Sequence, residues 1–196
     1  GFYIVLDSST LAEVYRAKTS QQGFVQEAKF SADGGLLAVA CSDSSVFLYD
    51  AQDNYLERGV CKAGGAALPH LDFSDDGKYF QVGTSRHELL YFSSTTCKRL
   101  KTGTAQLKDA IWHSFTSVYG WPVQAVWNRL PPGLHVHSLD RTRDMTSLLA
   151  CGDNAGNVRL GRYPAVEGDT MFNVFKGHSS VVASCRWLVK DSHLIT

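Results

Sequence analysis

Short apolar runs bounded by Ser, Asp, Asn and Gly recur along the chain: YIVLD from Tyr3, LLAVAC from Leu36, VFLYD from Val46, KYFQVG from Lys78 and ELLYF from Glu88. They are rich in aromatic and β-branched residues, the composition of strands lying in a pleated, half-buried sheet. No stretch of useful length carries an apolar stripe at the 3.6-residue helical period between capping residues. The pattern predicts many short strands joined by tight turns.

The runs also repeat at long range. AKFSADGGLLAVACSDSSVFLYD, from Ala28, aligns with LDFSDDGKYFQVGTSRHELLYFS, from Leu71. Phe30 matches Phe73, Asp33 matches Asp76, Gly34 matches Gly77, Val46 matches Leu89 and Tyr49 matches Phe92, each 43 residues apart. A period of about 40–45 residues holding four short strands is the signature of a propeller blade. A third copy, SLLACGDNAGNVRLGRY from Ser147, sets Leu148-Leu149-Ala150-Cys151 against the second strand and Val158 against Val46. Asp43 and Asp153 are 110 residues apart, so an insertion lies between Lys108 and His137.

A fourth copy opens at KGHSSVVASCRW, and the opening FYIVLDSSTLAEVYRA reads as the third and fourth strands of a blade. The expected fold is therefore all-β, a partial WD-repeat β-propeller with three complete four-stranded blades flanked by two half-blades. The boundaries are 1–22 for a half-blade, 23–66, 67–106 and 107–172 for blades, and 173–196 for the second half-blade. Unpaired strand edges invite pairing. The half-blades would meet within one chain, meet between two chains as a dimer, or be completed by the rest of a longer protein; the last is the favoured expectation.

Composition narrows the function. Nineteen basic side chains balance nineteen acidic ones. No global field therefore exists to hold nucleic acid or an anionic membrane. No apolar run approaches the ~18 residues of a membrane span. Five widely spaced cysteines, none in a C-x-x-C pair, argue against a disulfide framework or a zinc knuckle and for a reducing, cytoplasmic setting.

Gly177-His178 precedes VVASCRW, Asp43 lies in the turn before VFLYD, and Leu48-Tyr49-Asp50 stands where a Trp-Asp pair closes the third strand of a WD repeat. These features resemble the WD class, although Arg86 replaces the turn aspartate in the second copy. The resemblance implies structural roles for Asp43, Asp153 and His178, with the turn aspartate orienting the histidine. The run KDAIWHSFTSVYGWPVQAVW, then LLACGDNAGNVRLGRYP, then KGHSSVVASCRWLVKDSHLIT, resembles the C-terminal propeller of the echinoderm microtubule-associated protein-like family. That resemblance covers essentially the whole chain. It implies a cytoskeletal protein-interaction platform whose partner is tubulin or the microtubule; a generic scaffold recruiting another protein is the alternative.

Candidate chemistry is sparse. His135 and His137 would share one face of a strand, but no Asp, Glu or Cys stands at ligand spacing beside them, so no metal site is expected. Asp75-Asp76-Gly77 and Asp33-Gly34 resemble pieces of a calcium loop, yet their recurrence reads as hairpin turns. No nucleophile elbow, phosphate-cradling glycine loop or cofactor motif is present, and no enzyme is expected. Trp112 and Trp187 sit in apolar runs and read as core. Trp121, Trp127 and Arg129 border the insertion, with Arg141 and Arg143 beyond it. Trp and Arg are favoured at binding hot spots, which makes these five the candidate partner-binding residues. Cys41 and Cys151 read as small buried hydrophobes at the same second-strand position of two copies.

Overall fold

A computed structural model describes residues 2–18, 23–128, 130–143, 147–168 and 170–196. The chain divides into two compact units, residues 1–113 and 114–196. All named sheets are antiparallel.

In the first unit, β1 (Phe2–Leu6) pairs with β2 (Glu13–Lys18). A four-stranded meander follows: β3 (Val25–Phe30), β4 (Leu36–Cys41), β5 (Ser45–Asp50) and β6 (Leu56–Lys62). The next sheet contains β7 (His70–Phe73), β8 (Tyr79–Gly83) and β9 (Leu89–Ser93). Its fourth position is held by a single bridge, Phe92 to Arg99, before the chain turns into the helical turn Gly103–Gln106.

The β3–β4 and β7–β8 hairpins are closed by the same device. Ser31 Oγ donates to Asp33 Oδ1 at 2.5 Å and accepts the Leu36 N–H at 2.9 Å. Forty-three residues on, Ser74 Oγ donates to Asp76 Oδ1 at 2.6 Å and accepts the Tyr79 N–H at 3.0 Å. Gly34 and Gly77 follow with φ of 71° and 67°, a conformation glycine adopts without a Cβ penalty. These acidic clusters are turns.

The sheets bury their facing surfaces on one another. Leu48, Val46 and Cys61 of one sheet join Leu71, Phe73, Phe80 and Phe92 of the next in one core. Each such fully buried large side chain contributes roughly 2–3 kcal/mol. A second core places Tyr3 of the opening hairpin against Val39, Phe47 and Tyr49.

In the second unit, β10 (Val136–Arg141), β11 (Leu148–Asp153), β12 (Asn157–Arg162) and β13 (Asn173–Lys176) form a four-stranded sheet. Asn173–Lys176, placed by sequence at the start of the closing half-blade, thus pairs with β12 and completes the preceding sheet. β14 (Arg186–Trp187) and β15 (Leu194–Ile195) form the last hairpin. It is tied to β10 through the Trp187 N–H, which donates to Asp140 Oδ2 at 2.9 Å. Before β10 the described residues of the insertion form no strand; they include the 3₁₀ turn Trp121–Val126.

Candidate functional site

The strand register decides which turn residues are equivalent. Ala40 faces Val46, Gly83 faces Leu89 and Gly152 faces Val158. Counting on, Asp153 takes the place of Thr84 and Cys41, not of Asp43. By the same register Cys151 falls opposite Val39 rather than Cys41; both thiols are nonetheless buried.

Asp153 is fully buried and heavily bonded. Its Oδ1 accepts the Ala155 and Asn157 N–H groups, both at 2.9 Å, and its Oδ2 meets Arg159 Nε at 3.1 Å. Burial works against its charge, but the hydrogen bonds from Asn157, Arg159 and Ala155 prevail and hold the carboxyl below the usual range. Thr84 Oγ1 does the same work in the second copy, accepting the Arg86 and Glu88 N–H groups at 3.2 Å. Asp43 accepts from the Ser45 N–H, at 3.1 Å. The resemblance led to an aspartate that orients a histidine. Instead, the Asp153 network stays within its own turn and strand, while the His178 ring meets Thr196 Oγ1 at 2.8 Å.

The five partner-binding candidates separate into different environments. Trp121 begins the 3₁₀ turn with Pro122 next to it, and Val123, Ala125 and Val126 turn inward. Backbone bonds from Ala125 N to Ala165 O and from Ala165 N to Pro122 O, at 2.8 and 2.7 Å, hold the turn against the segment after β12. Trp121 is left 61% exposed.

Trp127 is anchored instead. Its ring stacks on Tyr119 at 5.7 Å, and its indole N–H donates to Val118 O at 2.8 Å. The Arg141 guanidinium lies 5.2 Å from the Tyr163 ring centroid and donates to Thr142 O. Arg143 is exposed, its backbone N–H bound to Asp191 Oδ2. Arg129 lies outside the described residues. Among the described candidates, Trp121 and Arg143 are therefore the two that present themselves to solvent.

Trp112 is buried, bridges Ser74 and lies 5.9 Å from the Tyr91 ring; Trp187 is half-buried. His135 and His137 are exposed. Among the described residues no three His, Cys, Asp or Glu side chains are placed to hold a metal ion. No described helix is long and apolar enough to cross a membrane.

One feature of the first unit is not legible as a motif. Tyr15 of β2, Tyr49 of β5 and Tyr55 of the β5–β6 turn line a cleft of about 450 Å³. They come from three separate elements, and no spacing links them.

Serial antiparallel sheets with an internal 43-residue repeat define the class as a β-propeller of the WD type, here a partial one. The family model described as the echinoderm microtubule-associated protein second beta-propeller matches residues 1–196, and the chain belongs to that family. The 77 kDa echinoderm microtubule-associated proteins of Lytechinus variegatus and Strongylocentrotus purpuratus are 30% and 31% identical over the whole chain. The Homo sapiens echinoderm microtubule-associated protein-like 1 is 28% identical over the same span. The chain covers 30%, 29% and 24% of those three proteins, under a third of each. A solved structure, that of U3-55K, covers 85% of this chain and is itself covered to 43%, with 17% identity and a TM-score of 0.44.

Proposed function

We propose that this chain is a non-catalytic, cytoskeletal interaction module whose partner is tubulin, free or assembled. The observation that carries the reading is the family match across residues 1–196, with relatives whose names describe microtubule-associated proteins. Exposed Trp121 and Arg143 are the contact residues in this reading, with Trp127 and Arg141 supporting them and Arg129 a further candidate from the sequence alone. An indole held outward by a well-tied turn supplies rigid apolar area, and an exposed guanidinium suits an acidic partner. Co-sedimentation with assembled microtubules and gel filtration with soluble tubulin dimers test the two forms of the partner. Binding in neither removes the proposal for this chain.

A second reading is a scaffold for a different protein, and the balanced charge of 19 against 19 favours it. An acidic lattice is held best by a basic field. Capture of a defined non-tubulin protein that is lost in Trp121→Ala would establish that reading. Self-association is a further expectation: Phe2, Leu6 and Val14 of the opening hairpin are 65%, 50% and 56% exposed. Sedimentation as a monomer at all concentrations would remove it.

A further inference from the structure

The tyrosine cleft is built from Tyr15 and Ala17 of β2, Tyr49 of β5, and the turn and strand that follow, where Asp53, Tyr55 and Glu57 complete its wall. The turn is forced into an unusual shape. Leu56 N donates to Asp53 O at 2.9 Å, and the two residues between, Asn54 and Tyr55, have φ of 47° and 56°. A bulky aromatic rarely adopts this left-handed conformation. Here it brings the Tyr55 ring onto Tyr15, stacked at 4.7 Å with 26° between the planes. Beneath them Tyr49 packs on Tyr3 at 5.2 Å and is 4% exposed. The floor is buried, the walls are aromatic and the mouth is open to solvent.

The polar groups at the mouth set the ligand's charge. Asp50 is already committed, its carboxylate held by Arg58 at 2.6 Å. Asp53 and Glu57 form no ion pair among the described residues, and Glu57 is the cross-strand neighbour of Tyr49. Among the described lining residues Lys18 is the one cation, so two carboxylates face one ammonium. An anionic ligand is disfavoured. Aromatic faces with carboxylates beside them attract a cation, and a planar guanidinium answers both, stacking on a ring while its N–H groups fork a carboxylate. The cleft adjoins β6, the edge strand of its sheet, which leaves room for an extended backbone to lie alongside. We infer that this cleft is a docking slot for an arginine side chain of a partner polypeptide, stacked on the Tyr15–Tyr55 pair and paired with Glu57 and Asp53.

The inference is independent of tubulin binding, and its test does not use tubulin. The probe is the pentapeptide acetyl-Gly-Ser-Arg-Ser-Gly-amide, titrated into the full chain carrying ¹³C-labelled tyrosine. Saturable shifts confined to Tyr15, Tyr49 and Tyr55 are expected. The same peptide with citrulline, a neutral isostere of arginine, should bind at least about tenfold more weakly. The paired change Asp53→Asn and Glu57→Gln should weaken the arginine peptide about tenfold and leave the citrulline peptide unchanged. Both positions are exposed, and circular dichroism checks that the variant is folded. Equal binding of the citrulline peptide, shifts absent from these tyrosines, or indifference to the paired change would overturn the assignment. A lysine peptide that binds as tightly as the arginine peptide would overturn the guanidinium part.

Discussion

Lys29 Nζ lies 2.8 Å from Asp72 Oδ1, joining β3 to β7 across 43 residues of sequence. Lys29 faces Ala38 and Asp72 faces Gln81, so the two occupy the same position in consecutive repeats. The repeat period is thus also the reach of an ion pair between sheets. Asp72 has no exposed side-chain surface, and Gln81 Nε2 donates to its other oxygen at 3.3 Å.

Breaking a buried pair from one side strands the other charge. Lys29→Met should therefore lower unfolding stability by about 2–4 kcal/mol. The double change Lys29→Met with Asp72→Leu should recover most of that loss, because no charge is left in the interface. Urea denaturation followed by tyrosine and tryptophan fluorescence reads both. A double variant as unstable as the single one would show that the pair is not the main bond between these sheets.

Asp153 makes stability depend on pH in a stated direction. Its folded-state pKa is held below the ordinary carboxylate value, so it contributes stability above the unfolded pKa of about 3.9 and loses it as pH falls through the folded value. Asp153→Asn keeps an acceptor for the Ala155 and Asn157 N–H groups but gives up the Arg159 pair, at a cost of about 1–3 kcal/mol near neutral pH. The gap between wild type and variant should narrow below about pH 4. Urea midpoints measured from pH 7 to pH 3 check it, and a constant gap would contradict the assignment.

One turn position gives opposite signs in two repeats. Ser44, His87 and Gly156 are equivalent by register and have φ of 68°, 65° and 81°. A Cβ on Gly156 would lie 2.2 Å from the backbone oxygen of His178. Gly156→Ala should cost at least about 2 kcal/mol, combining left-handed strain with a clash against backbone. His87 is exposed and carries that strain already. His87→Gly should raise stability by about 0.5 kcal/mol, the strain relieved exceeding the unfolded-state entropy added. Thermal melts of the two variants should move in opposite directions.

What could be read from sequence was what is locally encoded. The Ser31-Asp33-Gly34 and Ser74-Asp76-Gly77 turns and the apolar alternation after them fix hairpins within about ten residues, and these placed β3–β5 and β7–β9. β13 escaped because all four of its residues are exposed, so it carries no alternation to detect. Asp43 and Asp153 looked equivalent because both precede a strand with the same Val. Only the pairing of Val158 with Gly152 shows that they stand two positions apart in their turns. Trp121 and Trp127 were indistinguishable by type; the Tyr119 stack and the Ala125–Ala165 bond that separate them are tertiary. The tyrosine cleft left no signal because its walls converge only after two sheets have packed.

Burial protects most of the cysteine thiols from reagents. Burial pushes the Cys151 thiol up to about 12 and raises Cys61 and Cys185 in the same direction. Thiolate is the reactive species. Cys41, Cys61, Cys151 and Cys185 are buried and Cys97 is partly exposed. At pH 8 a disulfide reagent should therefore modify Cys97 first and the other four only on unfolding. Rapid modification of Cys151 in the folded chain would contradict this.

Trp121 and Trp127 separate binding from folding. Trp121 is exposed and makes no ring stack or side-chain hydrogen bond among those described. Trp121→Ala should shift stability by no more than about 0.5 kcal/mol. If its indole is an interface anchor, the same change should weaken tubulin or microtubule binding about tenfold or more. Trp127 gives the opposite profile. Removing its stack on Tyr119 and its bond to Val118 should cost about 2–3 kcal/mol of stability, with binding reduced only as far as folded protein is lost. Co-sedimentation and urea titration of both variants form one experiment with four readings. Full binding by Trp121→Ala would remove this turn from the contact surface and leave the partner to another part of the propeller.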